Sequence, residues 1–247
     1  ISTQIKDEVK EQVAVLKQKG IDVTLAVIQV GKDPASTVYV GNKKKACEYV
    51  GIRSLAYELP EETSEQELLE LVRSLNAKED VDGILVQLPL PKHIDEDKVI
   101  RTISPDKDVD GFHPESVGRL SIGQPGFVSC TPAGIIQLLK RSGITIDGKE
   151  CVIIGRSNIV GKPMGMLLLR ENGTVTICHS HTPDLKTVAK RADILVVAIG
   201  KAKFVDASYV KDGAAVIDVG MDRDENGKLC GDVDFASVEP VAGAITP

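Results

Sequence analysis

Residues 150–165 read "ECVIIGRSNIVGKPMG". An apolar run, Cys151 to Ile154, meets a glycine, and a second glycine stands just before Lys162 and Pro163. A short apolar run stopped by glycine suits a buried strand, and proline is favoured in the first turn of a helix, so the stretch reads as strand, glycine turn, helix. It matches neither common phosphate-binding pattern. A G-x-G-x-x-G turn needs glycine where Ser157 stands; a P-loop needs four residues between its glycines and a hydroxyl residue after its lysine. Here five residues separate Gly155 from Gly161, and Pro163 follows Lys162.

The same alternation extends to both sides. Before the turn lies a helix pattern over 133–143, "AGIIQLLKRSG". After it come helix 163–172, strand 174–180, helix 183–192 and strands 193–200 and 214–220. Towards the N-terminus a second series appears. Ile5, Val9, Val13 and Leu16 share a helix face closed by Gly20. Strand 23–31, helix 35–51, strand 52–59, a helix opened by the capping pair Ser64 and Glu67, and the apolar strand 81–91 follow. Strands that alternate with helices predict parallel sheets covered on both faces. The expected fold is therefore two α/β domains, residues 1–117 and 118–247, divided at the Gly/Pro-rich segment 118–134. The second is Rossmann-like.

Hydrophobic residues make up 42% of the 247, enough for such cores, and no apolar run is long enough for a membrane span. The polar start "ISTQIKDEVK" is unlike a secretion signal. Five scattered cysteines without a C-x-x-C read as reduced thiols of a cytoplasmic protein. A net charge of −6 argues against a general nucleic-acid binder. It leaves room for an acidic small molecule held by a local basic group such as Lys43–Lys45.

A strand-to-helix glycine turn brings backbone N–H groups and a positive helix end to one place, which suits a phosphate. Arg156 adds a charge and Ser157 a hydroxyl; a purely structural loop is the alternative. An NAD site places an acid about 20 residues after the turn to bind ribose hydroxyls. Here that region reads His179, Ser180, His181, with no acid before Asp184. The missing carboxylate predicts NADP, with Arg156 and Ser180 holding the extra phosphate. A Cys178–His179–His181 zinc site is the rival reading, but alternation along a strand splits those side chains between faces.

Three further places carry chemistry. Tyr39 and Lys43, four residues apart, project from one helix face, as a substrate-binding pair or as ordinary surface residues. Gln87 interrupts an apolar strand near its C-terminal end, where open α/β sheets bind ligands; a satisfied core amide is equally compatible. Asp106, Asp108 and Asp110 alternate ahead of Gly111, but Val117 stands where a calcium loop needs Glu. That loop is a cap for its neighbours or a clamp for a ligand with paired N–H donors.

Taken in order, "STVYVGNKKKACEYVGI", "DGILVQLPLP", "PDKDVDGFHP", "GRSNIVGKPMG", "VTICHSHT" and "GDVDF…AITP" resemble the bifunctional methylenetetrahydrofolate dehydrogenase/cyclohydrolases across nearly the whole chain. The resemblance implies NADP-dependent oxidation of 5,10-methylenetetrahydrofolate, then hydrolysis of the methenyl product to 10-formyltetrahydrofolate. It implies an active site in the cleft between the domains. Lys43 matches the catalytic lysine, Gln87 the residue that hydrogen-bonds it, Tyr39 the ring that stacks on the folate, and Asp110 the carboxylate on the pterin. Gly155, Arg156, Ser157, Val160, Gly161 and Ser180 match the cofactor side. Hydride departure leaves a cation shared by two nitrogens and needs orientation above all, whereas hydration needs proton transfers. The family also implies a homodimer. It continues beyond the position of Pro247 into a proline/glycine loop and a returning helix, and both ends of the sequence are expected to be short. Two rivals stand beside it: a short-chain dehydrogenase, whose Tyr-x-x-x-Lys pair follows its glycine turn instead of preceding it, and a folate- or nucleotide-binding module without turnover.

Overall fold

The computed structural model describes residues 1–225 and 227–247. They divide into two units, residues 1–119 with 125–127 and residues 120–124 with 128–247. The first contains α1 (Ser2–Gln18), β1 (Thr24–Val30), α2 (Pro34–Val50), β2 (Arg53–Leu59), α3 (Glu65–Asn76), β3 (Gly83–Val86) and α4 (Glu96–Thr102), and α5 (Pro114–Ser121) follows. Its strands are parallel in the order β2-β1-β3. Period-two alternation buries both faces of the sheet. Ala26, Ile28, Val30, Ile84 and Val86 pack with Leu68, Leu69, Val72 and Leu75 of α3 and Val99 of α4, while Val27 and Leu85 pack with Val40 of α2.

Local chemistry sets the helix starts. Ser64 accepts the Glu67 amide at 3.2 Å and Glu67 reaches back to the Ser64 amide at 2.8 Å, closing the capping box read from the sequence. Asp33 caps α2 by accepting the Ser36 amide at 2.8 Å. Gln29, nearly buried in β1, donates to the Thr37 hydroxyl at 3.0 Å and so ties the start of α2 to the end of β1.

The second unit holds α6 (Cys130–Arg141), β4 (Glu150–Ile154), α7 (Gly161–Arg170), β5 (Thr174–Cys178), α8 (Leu185–Ala189), β6 (Ile194–Val197), β7 (Ala215–Asp218), β8 (Asp222–Arg223), β9 (Leu229–Cys230), α9 (Phe235–Val238) and β10 (Ala244–Ile245). Five strands form a parallel sheet in the order β10-β7-β6-β4-β5. One face packs against α6 and α7 through Cys151, Ile153, Ile194 and Val196; the other packs against α8 and α9 through Val152, Ile154, Leu195 and Val197. The chain leaves β4 for β5 on one side and returns to β6 on the other. A gap between loops therefore opens at the carboxyl ends of β4 and β6.

Several elements are shorter than their sequence pattern. The third strand, expected over 81–91, pairs only at Gly83–Val86, and its last ladder bond is the Gln87 amide to the Ile28 carbonyl at 2.8 Å. Pro89 and Pro91 have no N–H to continue it. The strand expected to reach Ser180 ends at Cys178, and the helix expected over 183–192 is only Leu185–Ala189. The small β8–β9 hairpin and β10 carry too few residues for a pattern to show. None of the five cysteines forms a disulfide. Among the described residues no helix is long and apolar enough to cross a membrane.

Candidate active site

In the first unit, helix α2 shows why Lys43 differs from its neighbours. Ser36, Val40, Cys47 and Val50 are buried and define the inner stripe of the helix. Lys43 falls on that stripe, three residues after Val40 and four before Cys47, and is half-buried, whereas Lys44 and Lys45 are exposed. Its Nζ donates to Gln87 Oε1 at 3.0 Å. Gln87 sits just past the carboxyl end of β3, and its Nε2 donates to the Leu88 carbonyl at 2.7 Å, which turns the amide oxygen towards the lysine. Burial pushes the Cys47 thiol up, with the Lys43 charge opposing that rise. Lys43 and Gln87 are thus brought together by geometry that spacing alone left open. Tyr39, one turn earlier, is 42% exposed at the rim of the same face.

The acidic loop divides into separate roles. Asp108 is buried; its Oδ2 accepts the His113 amide at 2.8 Å and the Ser116 hydroxyl at 2.7 Å, and residue 108 bridges to Ile84 of β3. It is the cap. Asp106 is an exposed partner of Arg119 at 3.5 Å. Asp110 lies half-buried in the turn after the cap.

In the second unit the two glycines of the turn explain its unusual spacing. Gly155 has φ +131°, and a Cβ there would lie 2.2 Å from the Ala198 carbonyl oxygen. A Cβ on Gly161 would lie 2.3 Å from the Gly155 carbonyl oxygen. The glycines touch each other, and one touches the end of β6, so both are required by close backbone approach. The start of α7 differs from the expected open cradle. Ser157 Oγ accepts the Val160 and Gly161 amides at 3.1 and 3.3 Å, so the hydroxyl caps these donors itself. Val160 and Gly161 form the start of the helix behind the loop.

A cavity of about 330 Å³ opens at the β4/β6 switch point. Gly155, Arg156, Ser157 and Ser180 line it, together with His179, Ile199, Lys201 and Phe204. Val160 and Gly161 do not. Among the described residues no Asp or Glu is on this lining. Lys201 and Phe204 went unnoticed in the sequence, although the switch-point rule directs attention to any loop following such a strand. A larger cavity of about 550 Å³ lies at the opposite ends of these strands, by Lys149, Asp193 and Lys211. Its Asp193–Lys211 pair, 2.7 Å apart, neutralises itself, and ligands of parallel sheets sit at the carboxyl ends.

A parallel sheet with a glycine turn and a carboxylate-free cavity at its switch point defines a nicotinamide-nucleotide-binding α/β unit. A lysine–amide pair stands at the end of a second parallel sheet. Residues 1–110 match the tetrahydrofolate dehydrogenase/cyclohydrolase catalytic domain, and residues 129–247 match the NAD(P)-binding domain of the same family. The chain is 74% identical to the bifunctional protein FolD of Lachnoclostridium phytofermentans, covering 100% of this chain and 88% of that one. The bifunctional FolD dehydrogenase/cyclohydrolase structure from Campylobacter jejuni superposes with a TM-score of 0.96 at 50% identity, covering 100% and 88% of the two chains. A Trypanosoma brucei methylenetetrahydrofolate dehydrogenase-cyclohydrolase, solved with NADP and an inhibitor, gives 0.92 at 39%, covering 99% and 86%. The chain belongs to the tetrahydrofolate dehydrogenase/cyclohydrolase family. It is a bifunctional enzyme of one-carbon folate chemistry.

Proposed function

We propose that the chain oxidises 5,10-methylenetetrahydrofolate to the methenyl cation with NADP and hydrolyses that cation to 10-formyltetrahydrofolate, with Lys43 as the proton-transfer group. The single observation carrying this is the 3.0 Å bond from Lys43 Nζ to Gln87 Oε1, made by a lysine on the inward stripe of its helix. In the hydrolytic half, water adds to the carbon between the two nitrogens and gives up a proton. Lys43 takes that proton; the bond to N5 then breaks as N5 is protonated and the remaining hydroxyl gives up its proton to become the formyl C=O, so of water's two protons one ends on N5 and one is released. Gln87 holds the ammonium group in line. Tyr39 offers a flat apolar face at the rim, and Asp110 offers a carboxylate to paired N–H donors of a pterin.

Bound NADP supplies the hydride acceptor. The cavity's chemistry fits it: Arg156, Ser157, Ser180 and Lys201 offer donors, and no carboxylate among the described lining residues opposes a ribose phosphate. For the dehydrogenase half the residues' task is orientation.

The test is direct. The protein is incubated with methylenetetrahydrofolate and either NADP or NAD while reduced cofactor is followed by absorbance, and hydrolysis of the methenyl compound is followed separately. Oxidation that prefers NADP, with accelerated hydrolysis, is expected. Activity on simple alcohols alone, or binding without turnover, refutes the proposal. The reading extends to a homodimer in the cytoplasm, supported by the family resemblance and the absence of disulfides. A monomeric mass in solution refutes the dimer.

A further inference from the structure

We propose that Asp232 is a positioning residue for the cofactor site: its carboxylate fixes the segment Ile199–Lys201 that forms one wall of the cavity, an inference that rests on the cofactor reading above. Asp232 has no exposed surface. One of its oxygens accepts the Ile199 amide at 2.8 Å and the other the Lys201 amide at 2.6 Å. Both residues line the 330 Å³ cavity, as does the adjoining Ala198, whose carbonyl presses against Gly155. A displacement of this segment is therefore felt at once by the glycine turn.

Asp232 is itself held from behind. Asp218, at the end of β7, accepts the Asp232 amide at 2.9 Å and the Gly220 amide at 3.0 Å through one oxygen, and the Val233 amide at 3.0 Å through the other. The Val205 amide donates to the Asp232 carbonyl at 3.0 Å. The chain of support runs from β7 through Asp218 to Asp232 and on to the cavity wall. The glycines record the same arrangement. A Cβ on Gly231 would lie 1.9 Å from an Asp218 oxygen, and a Cβ on Gly220 would lie 2.6 Å from the Asp232 carboxyl carbon. The "DVG" and "GDVDF" stretches thus read as one device: two carboxylates that collect backbone amides, and two glycines that leave them space. A buried carboxylate is costly unless fully hydrogen-bonded, so its use here in place of an apolar residue points to the geometry it imposes.

The experiment uses the full enzyme with Asp232→Asn and, as a second variant, Asp218→Asn, which loosens Asp232 from one side only. With Asp232→Asn the KM for NADP is expected to rise about 10-fold or more, the loss of one charge-assisted hydrogen bond, while kcat at saturating NADP changes less than about threefold. Cofactor-free hydrolysis of the methenyl compound should stay within about twofold of wild type. Asp218→Asn should move KM in the same direction by a smaller factor. Amide hydrogen exchange at Ile199 and Lys201 should quicken in both variants. In the wild type, NADP should slow exchange at Arg156, Ser180 and Lys201; its failure to do so overturns the cofactor reading itself. Protection in the wild type together with an unchanged KM in both variants overturns the role of Asp232 alone. A parallel loss of hydrolysis overturns it as well, by showing a general structural effect.

Discussion

Replacing Lys43 with Met separates the two activities. The substitution keeps the length of the apolar stem on the inner stripe of α2, between Val40 and Cys47. What is lost is one charge-assisted hydrogen bond of 3.0 Å. Gln87 keeps its second bond, to the Leu88 carbonyl at 2.7 Å, so the amide stays oriented and only its oxygen loses a donor. An unsatisfied acceptor costs about 1–3 kcal/mol when dry, and half-buried Gln87 belongs at the low end because water can reach it. A loss of ~1 kcal/mol lowers the melting temperature by roughly 2–8 °C, so the variant folds. A general base contributes about 10²–10⁴ in rate, or roughly 2.7–5.4 kcal/mol of barrier. Hydrolysis of the methenyl compound should fall by that factor, while NADP reduction falls less than about 10-fold, because hydride departure needs no base. Both rates are read by absorbance on the same preparation, with the buffer-catalysed hydrolysis subtracted. Hydrolysis within about threefold of wild type would refute the role of Lys43 in proton transfer; an equal fall in both rates would show that it serves binding instead.

Gly155→Ala places a Cβ against the Ala198 carbonyl at 2.2 Å in a left-handed conformation, so NADP-dependent oxidation should fall at least about 10-fold with hydrolysis retained; equal rates would show that the turn tolerates a side chain. Arg156→Ala should raise the KM for NADP roughly 10- to 100-fold and leave the KM for NAD nearly unchanged, measured by initial rates with each cofactor; a matched rise for both would remove Arg156 from the ribose phosphate. Desolvation, followed by the hydrogen bond and charge of Asp232 and the charge of Asp218, pushes the Asp222 carboxyl above its usual 3.8. A raised folded value stabilises the protonated form, so the contribution is present below the unfolded value and is lost as pH rises through the folded one. Asp222→Asn copies the protonated form at every pH. It should therefore melt higher than wild type at pH 7, with the gain vanishing towards about pH 4; a gain independent of pH would contradict the assignment.

The alternating strands and helices of both units were legible because the inner strands are buried on both faces and therefore read as apolar runs; Cys151–Ile154 and Ile194–Val197 are the clearest cases. The capping box at Ser64 was legible because its two partners lie three residues apart. The site was only half legible, for a reason of range. Lys43 and Gln87 are 44 residues apart, and a helical pattern says nothing about which of three consecutive lysines turns inward. Burial decides it, since only Lys43 continues the stripe of Ser36, Val40, Cys47 and Val50. The same limit hid the division of labour among Asp106, Asp108 and Asp110, whose alternation gave no hint that the middle one is spent on the His113 amide and the Ser116 hydroxyl.

The glycine turn shows how a motif rule fails usefully. Expected patterns place glycine beside the phosphate so that several helix amides face the ligand. Here Ser157 takes the first amides of α7 for itself, and the glycines are spent on contacts of the backbone with itself, Gly161 on Gly155 and Gly155 on Ala198. A turn closed in this way has fewer free amides to offer an anion. On the cofactor reading proposed above, affinity comes from groups outside the helix start: the Arg156 guanidinium, the Ser180 hydroxyl and the wall carrying Lys201. Such side chains choose between ribose hydroxyls and a ribose phosphate more sharply than amides do, because a fixed cation gains strongly from the added dianion and little from a neutral diol. On the proposed cofactor reading, Ser180→Asp should therefore raise the KM for NADP more than the KM for NAD in initial-rate measurements, and an equal effect on both would remove position 180 from the ribose phosphate.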